Sequence, residues 1–348
     1  MTAITGLKRV DEFLKQMIEE QQIPGAVYAV VNEHEVLAEN AIGYSHLKEK
    51  IPMTLETLFD LASLTKICAT LPSLLLLIEQ GFIEIDDPIQ RYFPEGQSHV
   101  TVRHLLTHTS GFTATVPFYK YGWTKNQILD YILSEQPIPD QKVVYSDLNF
   151  ILLGFLIEKI TEQSLDVFTQ KNIYQPLGMV HTTFNPQTDL TTIAPTEWRP
   201  EKSNYQWGEV HDENAYHLKG VAGHAGLFSN LHDLKIYVQM LIRSGTYGDG
   251  KPFLSPRTLK VSQRNYTQSL NLNRGLGWQL GDDTYSPAGY FLSKNSYGHT
   301  GFTGTSLWID PEKNIGLILL ANRVHISREI NMNRMRRVFH NIVSAAFY

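Results

Sequence analysis

Phe59-Asp60-Leu61-Ala62-Ser63-Leu64-Thr65-Lys66 contains the pattern Ser-x-x-Lys, and the rest of the chain can be laid out around it. A helix starting near Ala62 puts Ser63 and Lys66 three residues apart on one face. The serine oxygen then sits at the positive end of that helix, one turn from an amine. A serine hydroxyl is a weak nucleophile until a base takes its proton. A lysine serves as that base only if burial or a nearby cation lowers its pKa. The residues that follow, Ile67-Cys68-Ala69-Thr70-Leu71 and Leu74-Leu75-Leu76-Leu77-Ile78, are apolar enough to bury such a helix.

Ser-x-x-Lys alone is a weak signal, read first as a helix start carrying an exposed lysine. It gains meaning from two partners downstream, a tyrosine on a loop and a strand bearing Lys/His-Thr-Gly. Val144-Tyr145-Ser146-Asp147-Leu148-Asn149 supplies the first, just before a helical stretch. A tyrosine placed there can relay a proton. Gly298-His299-Thr300-Gly301-Phe302-Thr303-Gly304 supplies the second. Its small residues let a substrate lie against a strand edge and pair with backbone N–H groups.

The 348 residues predict one large or two interlocked domains, and an apolar content of 42% is that of a globular chain. A net charge of -5 with no basic cluster gives no reason to expect nucleic acid. Cys68 is the single cysteine, so no intrachain disulfide forms; it reads as a small buried helix residue. The opening residues lack a secretory pattern, with acidic residues by Asp11 and no apolar stretch behind them, and predict a cytoplasmic location. The apolar run at 71–78 holds a proline and is too short to span a bilayer.

Residues 7–21 have helical spacing, with Leu7, Val10, Phe13, Leu14, Met17 and Ile18 on one face. Ala26 to Val31 reads as a buried strand, and Val36 to Ile42 pairs with it as a hairpin. Helices are expected at Pro72–Gln80, Thr101–Gly111, Thr124–Leu133 with Thr124 as N-cap, Ser146–Glu162 and Leu231–Ser244. Another helical turn is expected at 86–89. Strands return at Tyr290–Ser296, Thr305–Ile309 and Ile315–Leu320, before a last helix from Ser327 to Phe347. Strands at both ends with helices between predict an α/β (α+β) protein. Its one sheet comes from both termini, with a mainly helical insertion. The boundaries expected are 1–75 and 215–348 for the α/β part and 76–214 for the helical part.

Together the three elements resemble the serine penicillin-recognising superfamily, close to its class C β-lactamase branch. That branch also holds D-alanyl-D-alanine carboxypeptidases, D-aminopeptidases and family VIII carboxylesterases. Arg103-His104-Leu105-Leu106-Thr107-His108-Thr109-Ser110-Gly111, Gly223-His224-Ala225-Gly226-Leu227-Phe228-Ser229 and Gly275-Leu276-Gly277-Trp278 are similar to the same family. The resemblance runs from about Pro24 to Ala321. It implies an antiparallel sheet of about five strands flanked by helices, with the site in the cleft beside the inserted helices. It implies Ser63 as acylated nucleophile, Lys66 as acceptor of its proton, Tyr145 as relay to the leaving group, and His299 where many members carry lysine. Ser63 and Phe302 N–H groups form the implied oxyanion hole, with Asp147, Thr300 and Gly301 on the substrate side. No metal or cofactor is implied.

Two departures bear on the substrate. The family's usual Tyr-x-Asn is Tyr145-Ser146-Asp147 here. An ionised Asp147 cannot donate to a carbonyl and favours the ammonium form of Lys66. Either Tyr145 carries more of the base role or Asp147 points elsewhere. His299, only partly cationic near neutral pH, holds a substrate carboxylate less firmly than lysine. The expected activity is hydrolysis, through an acyl-enzyme, of an ester or small D-amino-acid amide. A penicillin-binding D-alanyl-D-alanine carboxypeptidase or class C-like β-lactamase is the alternative among enzymes. A catalytically silent ligand-binding relative is the alternative outside them. His211-Asp212-Glu213-Asn214, His217 and His224 fit no compact zinc motif and read as a polar loop over the pocket. Trp198, Trp207, Phe112 and Tyr121 are candidate pocket-lining residues. The partner is a small-molecule substrate, and the sequence leaves the oligomeric state open.

Overall fold

The computed structural model describes residues 3–281 and 286–346. Helix α1 (Ala3–Glu19) begins four residues before the apolar spacing suggests, and the side chain of Leu7 lies outside the described set. Strands β1 (Gly25–Val31), β2 (Val36–His46) and β3 (Ile51–Pro52) follow. The Ser-x-x-Lys stretch leads into helix α2 (Leu71–Glu79), helix α3 spans Asp147–Thr161, and helix α4 spans Leu231–Ile242. The chain closes with β4 (Gln279–Leu280), β5 (Tyr297–Thr300), β6 (Ser306–Asp310), β7 (Ile315–Ala321) and helix α5 (Met332–Ala346). Phe347, expected to end the last helix, lies outside the described residues.

The main sheet is antiparallel and seven-stranded, in the order β4-β5-β6-β7-β1-β2-β3. The five long strands are those the resemblance implies, and two-residue strands extend each edge. First and last strands meet at its centre, with Ala26 opposite Ala321 and Val31 opposite Gly316. Both are buried along their whole length, which is why they read as unbroken apolar runs rather than alternating ones. Ala26, Tyr28 and Val30 face α1 and α5, packing with Phe13, Met335 and Phe339. Val27, Ala29 and Val31 face a larger cluster holding Leu71 and Leu74 of α2, Leu152 and Leu156 of α3, and Leu234 and Val238 of α4.

Residues 290–296, expected as a strand, form none; the strand starts at Tyr297. Asp310 explains this locally, because its carboxylate accepts from the Ser293 N–H and hydroxyl, at 2.8 and 2.6 Å, and folds the segment into turns. The turn expected at 86–89 is a 3-10 turn at Ile89–Arg91. Thr124 caps its helix as expected, with its side chain accepting from Gln127 N.

The Ser-x-x-Lys stretch is not a plain α-helix. Ala62–Leu64 is a 3-10 turn, Lys66–Thr70 is a π-helical turn, and α2 continues from it. Pro72 has no N–H to give back to the preceding turn. The Ile67 carbonyl is instead satisfied by the Tyr237 hydroxyl at 2.5 Å, and that of Cys68 by the Tyr174 hydroxyl at 3.2 Å. From Ala62 to Glu79 the helical run is long and apolar enough to cross a membrane, contrary to the shorter run read from the sequence. Here 78% of it is buried in the protein's own core.

Candidate active site

Ser63 sits where two distant segments are stitched together. Asp60, buried, accepts from Ala62 N at 2.8 Å and from His211 N at 2.6 Å. Thr303 Oγ1 donates to the Asp60 carbonyl at 2.9 Å and Thr305 Oγ1 to that of Leu61 at 3.1 Å. The turn carrying the serine is thereby fixed to the β5–β6 loop. Ala62 adopts φ +47, a left-handed conformation that costs a non-glycine residue energy and that these ties hold in place.

Lys66 is fully buried and donates three hydrogen bonds: to Ser63 Oγ at 3.0 Å, Asp147 Oδ1 at 2.9 Å and the His224 carbonyl at 3.0 Å. Burial alone pulls its pKa down. Asp147 and Tyr145 together outweigh burial, so the pKa stands above the ordinary lysine value. Of the two outcomes left open for Asp147, the structure selects the ion pair: the carboxylate opens α3 and points at Lys66 rather than elsewhere. At rest Lys66 is an ammonium that donates to Ser63, not a free amine awaiting its proton.

Tyr145 stands beside this group. The Lys66 ammonium lies 5.0 Å and the Arg274 guanidinium 5.8 Å from its ring centre. The ring is bracketed by His108, with centroids 4.6 Å apart, and His299, 5.8 Å apart. His108 Nδ1 lies 3.2 Å from both Ser146 N and the Asn149 amide nitrogen, so it is the accepting nitrogen and Nε2 carries the proton. His299 Nδ1 donates to the Thr300 carbonyl at 2.8 Å. Its Nε2 therefore holds a lone pair, buried and without a partner among the described residues. Burial, followed by the charges of Arg274 and Lys66, holds both imidazoles far below the ordinary histidine value. The partly cationic His299 expected from its residue type is replaced by a neutral ring that offers an acceptor. The physical reason is its complete burial beside two cations.

Ser63, Tyr145, Asp147, His299, Thr300, Gly301 and Phe302 line one cleft of about 480 Å³, with Lys66 just beneath. Among the described residues β4 pairs only with Tyr297 and Gly298, and no strand neighbours the outer edge of β5 beyond Gly298, which lines the cleft. A Cβ on Gly301 would come within 2.0 Å of Thr305 Oγ1 and 2.5 Å of the Leu61 carbonyl, which accounts for glycine there.

The structure adds Asp212, Arg274, Arg323, Arg328 and Arg336 to the wall. Of these only Asp212 falls in a stretch the sequence marks, the expected polar loop. Burial pushes its carboxyl up, but His224, whose Nε2 lies 2.8 Å away, and the Lys66 charge more than offset this and hold it well below the usual range. His211 stacks on the Phe302 ring with centroids 5.6 Å apart. The aromatic expectations fail. Phe112 is core, Tyr121 stacks on Trp123, and Trp198 and Trp207 pack near Tyr205 and His46; none is among the cleft residues. Among the described residues no group of three or more His, Cys, Asp or Glu is arranged to hold a metal ion.

A family model described as Beta-lactamase matches residues 10–340. A Salmonella typhi protein, named as a candidate D-alanyl-D-alanine carboxypeptidase, is 32% identical over 92% of this chain and 83% of its own. Among solved structures, EstCE1, a hydrolase with promiscuous acyltransferase activity, superposes with a TM-score of 0.77 at 23% identity, covering 97% of this chain and 99% of that one. A class C beta lactamase from Rhodobacter sphaeroides gives 0.75 at 21% identity, covering 95% and 97%.

Proposed function

Because the chain belongs to the beta-lactamase family, and its fold is that family's serine hydrolase fold, we propose that it hydrolyses an ester or small D-amino-acid amide through an acyl-enzyme on Ser63. The observation that carries this reading is the 3.0 Å contact between Ser63 Oγ and Lys66 Nζ at the floor of a cleft walled by Tyr145 and the β5 edge. The Ser63 oxygen attacks the substrate carbonyl, and its proton needs an acceptor. Lys66 and Tyr145 therefore enter the step as a pair one proton short, and pass that proton on to the leaving group. The Ser63 and Phe302 N–H groups receive the developing oxyanion. Water then attacks the acyl-enzyme, giving its proton back through the same pair and releasing Ser63.

A second reading, a D-alanyl-D-alanine carboxypeptidase, draws on the positive charge of Arg274 and Arg323 in the cleft wall, which suits a substrate with a free carboxylate; Arg328 there is held by Glu197 and Glu213. It also agrees with the name of the Salmonella typhi relative. Activated nitrophenyl esters, D-alanyl peptides and a chromogenic cephalosporin, compared as substrates, separate the readings. A fluorophosphonate should label the protein covalently, and Ser63→Ala should abolish both labelling and ester turnover. Undiminished turnover in that variant rules out the acyl-enzyme, and absence of any adduct in the native protein favours a silent binder.

A further inference from the structure

Arg336, on α5, is 5% exposed. Among the described residues no carboxylate pairs with it. Burying a cation without a counter-ion is expensive. The strain shows in its pKa, which burial and the neighbouring Arg323 push down to about 9. One guanidinium nitrogen bonds to backbone instead, with Nη2 donating to the Gly301 carbonyl at 2.5 Å and the Thr305 carbonyl at 3.0 Å, while Nε is buried without a hydrogen-bond partner among the described residues.

The Gly301 carbonyl belongs to the same peptide unit as the Phe302 N–H. In a planar trans peptide the two point in opposite directions. Whatever grips the carbonyl therefore also aims the N–H. The Gly304 N–H reaches the same carbonyl at 3.2 Å and closes the turn, so Arg336 is the nearer and the charged partner. The following carbonyls are held as well. Arg323 Nε donates to Phe302 O at 2.8 Å, and Arg323 N to Thr303 O at 2.8 Å.

We infer that Arg336 is a positioning residue for the oxyanion site: by holding the Gly301 carbonyl it aims the Phe302 N–H at the reacting carbonyl oxygen, and its charge polarises that amide into a stronger donor. A cation on the carbonyl end of an amide draws electron density from its nitrogen, as one member of a hydrogen-bonded chain strengthens the next. Arg336 acts through the peptide and touches no reacting atom in this role. The inference rests on the acyl-enzyme reading above.

The test compares the native enzyme with Arg336→Met, which keeps bulk and loses charge, and Arg336→Lys, which keeps charge and the chance of one bond. Acylation is measured, per titrated active site, with an activated ester and with its thiono analogue, whose C=S is a poor hydrogen-bond acceptor. Losing a whole oxyanion donor costs about 10²–10³-fold in rate, so a misaimed and weakened one is expected to cost roughly tenfold. Arg336→Met should therefore lose roughly tenfold on the oxygen ester, lose little on the thiono ester, and leave KM nearly unchanged. Arg336→Lys should restore part of the oxygen-ester rate. A merely structural arginine would lower the yield of titratable sites without moving the oxo-to-thiono ratio. An unmoved ratio in Arg336→Met, or in Arg336→Ala if the first variant does not fold, overturns the inference. If the native protein forms no fluorophosphonate adduct, the acyl-enzyme reading fails and takes this one with it; an adduct with an unmoved ratio removes this one alone.

Discussion

Burial and a neighbouring carboxylate act in opposite directions on the Lys66 charge, and in this site Asp147, together with Tyr145, prevails. The sign of the resulting pH dependence follows directly. Asp147 stabilises the protonated state of Lys66, so the reactive, one-proton-short state is populated only as pH rises. Asp147→Asn removes the charge but keeps the shape. The rising limb of its kcat/KM profile should move to lower pH, with activity at neutral pH increasing by about tenfold for each unit the Lys66 pKa falls. A profile superimposable on the native one would show that the 2.9 Å ion pair does not govern the base. Tyr145-Ser146-Asp147 already poses this question in one dimension. Arg274, which lines the same cleft, leaves no trace in the sequence that would single it out for it.

At the scale of elements, the site depends on how closely α3 approaches the segment that presents the His224 carbonyl to Lys66. Gly154 on α3 and Gly223 pack backbone to backbone. A Cβ on Gly223 would fall 2.1 Å from the Phe150 carbonyl and 3.0 Å from Gly154 N, and neither is a side chain that can turn away. Gly223→Ala should therefore force the segment off the helix, costing about 1–3 kcal/mol in denaturant unfolding. It should also lower turnover, because the third hydrogen bond to Lys66 moves with it. An unchanged unfolding midpoint would mean that this approach is looser than the geometry states. The helical register of this part of the chain was legible, since Phe150, Leu153 and Ile157 repeat at helical spacing and are all buried. The π-helical turn at Lys66–Thr70 was not, because its carbonyls are satisfied by tyrosines more than a hundred residues away.

Over the whole molecule, buried histidines act as fasteners between distant segments. His340 Nδ1 donates to the Pro287 carbonyl at 2.7 Å, and burial pushes its pKa down to about 3. His325 accepts from Leu47 N at 3.2 Å and faces the Thr196 carbonyl at 3.3 Å; burial, then His46, lower it to about 4. Folded, each stays neutral below the pH at which the unfolded histidine, near 6.5, takes up a proton. The unfolded state then binds more protons, so stability falls as pH drops from about 6.5 toward each folded value. Above 6.5 the penalty vanishes. Each such group contributes about 1.4 kcal/mol of lost stability per pH unit within its window. The thermal midpoint should decline on acidification below about 6.5, and more shallowly in His340→Gln. Parallel declines in the two proteins would assign the acid sensitivity elsewhere.

The chain alone determined what depends on neighbours in sequence: the apolar runs that become central strands, the periodicity of the helices, the Thr124 cap, and the order serine, tyrosine, His-Thr-Gly. These are local, because propensity and periodicity act over a few residues. Only the tertiary structure decided the charge states of the site. Asp147 meets Lys66 across 81 residues of chain, the His224 carbonyl meets it across 158, and Arg336 reaches the loop after β5 from the last helix. Burial and Coulomb forces act through space, so whether a lysine rests charged, a histidine rests neutral or an arginine grips a peptide is settled by what the fold brings against it.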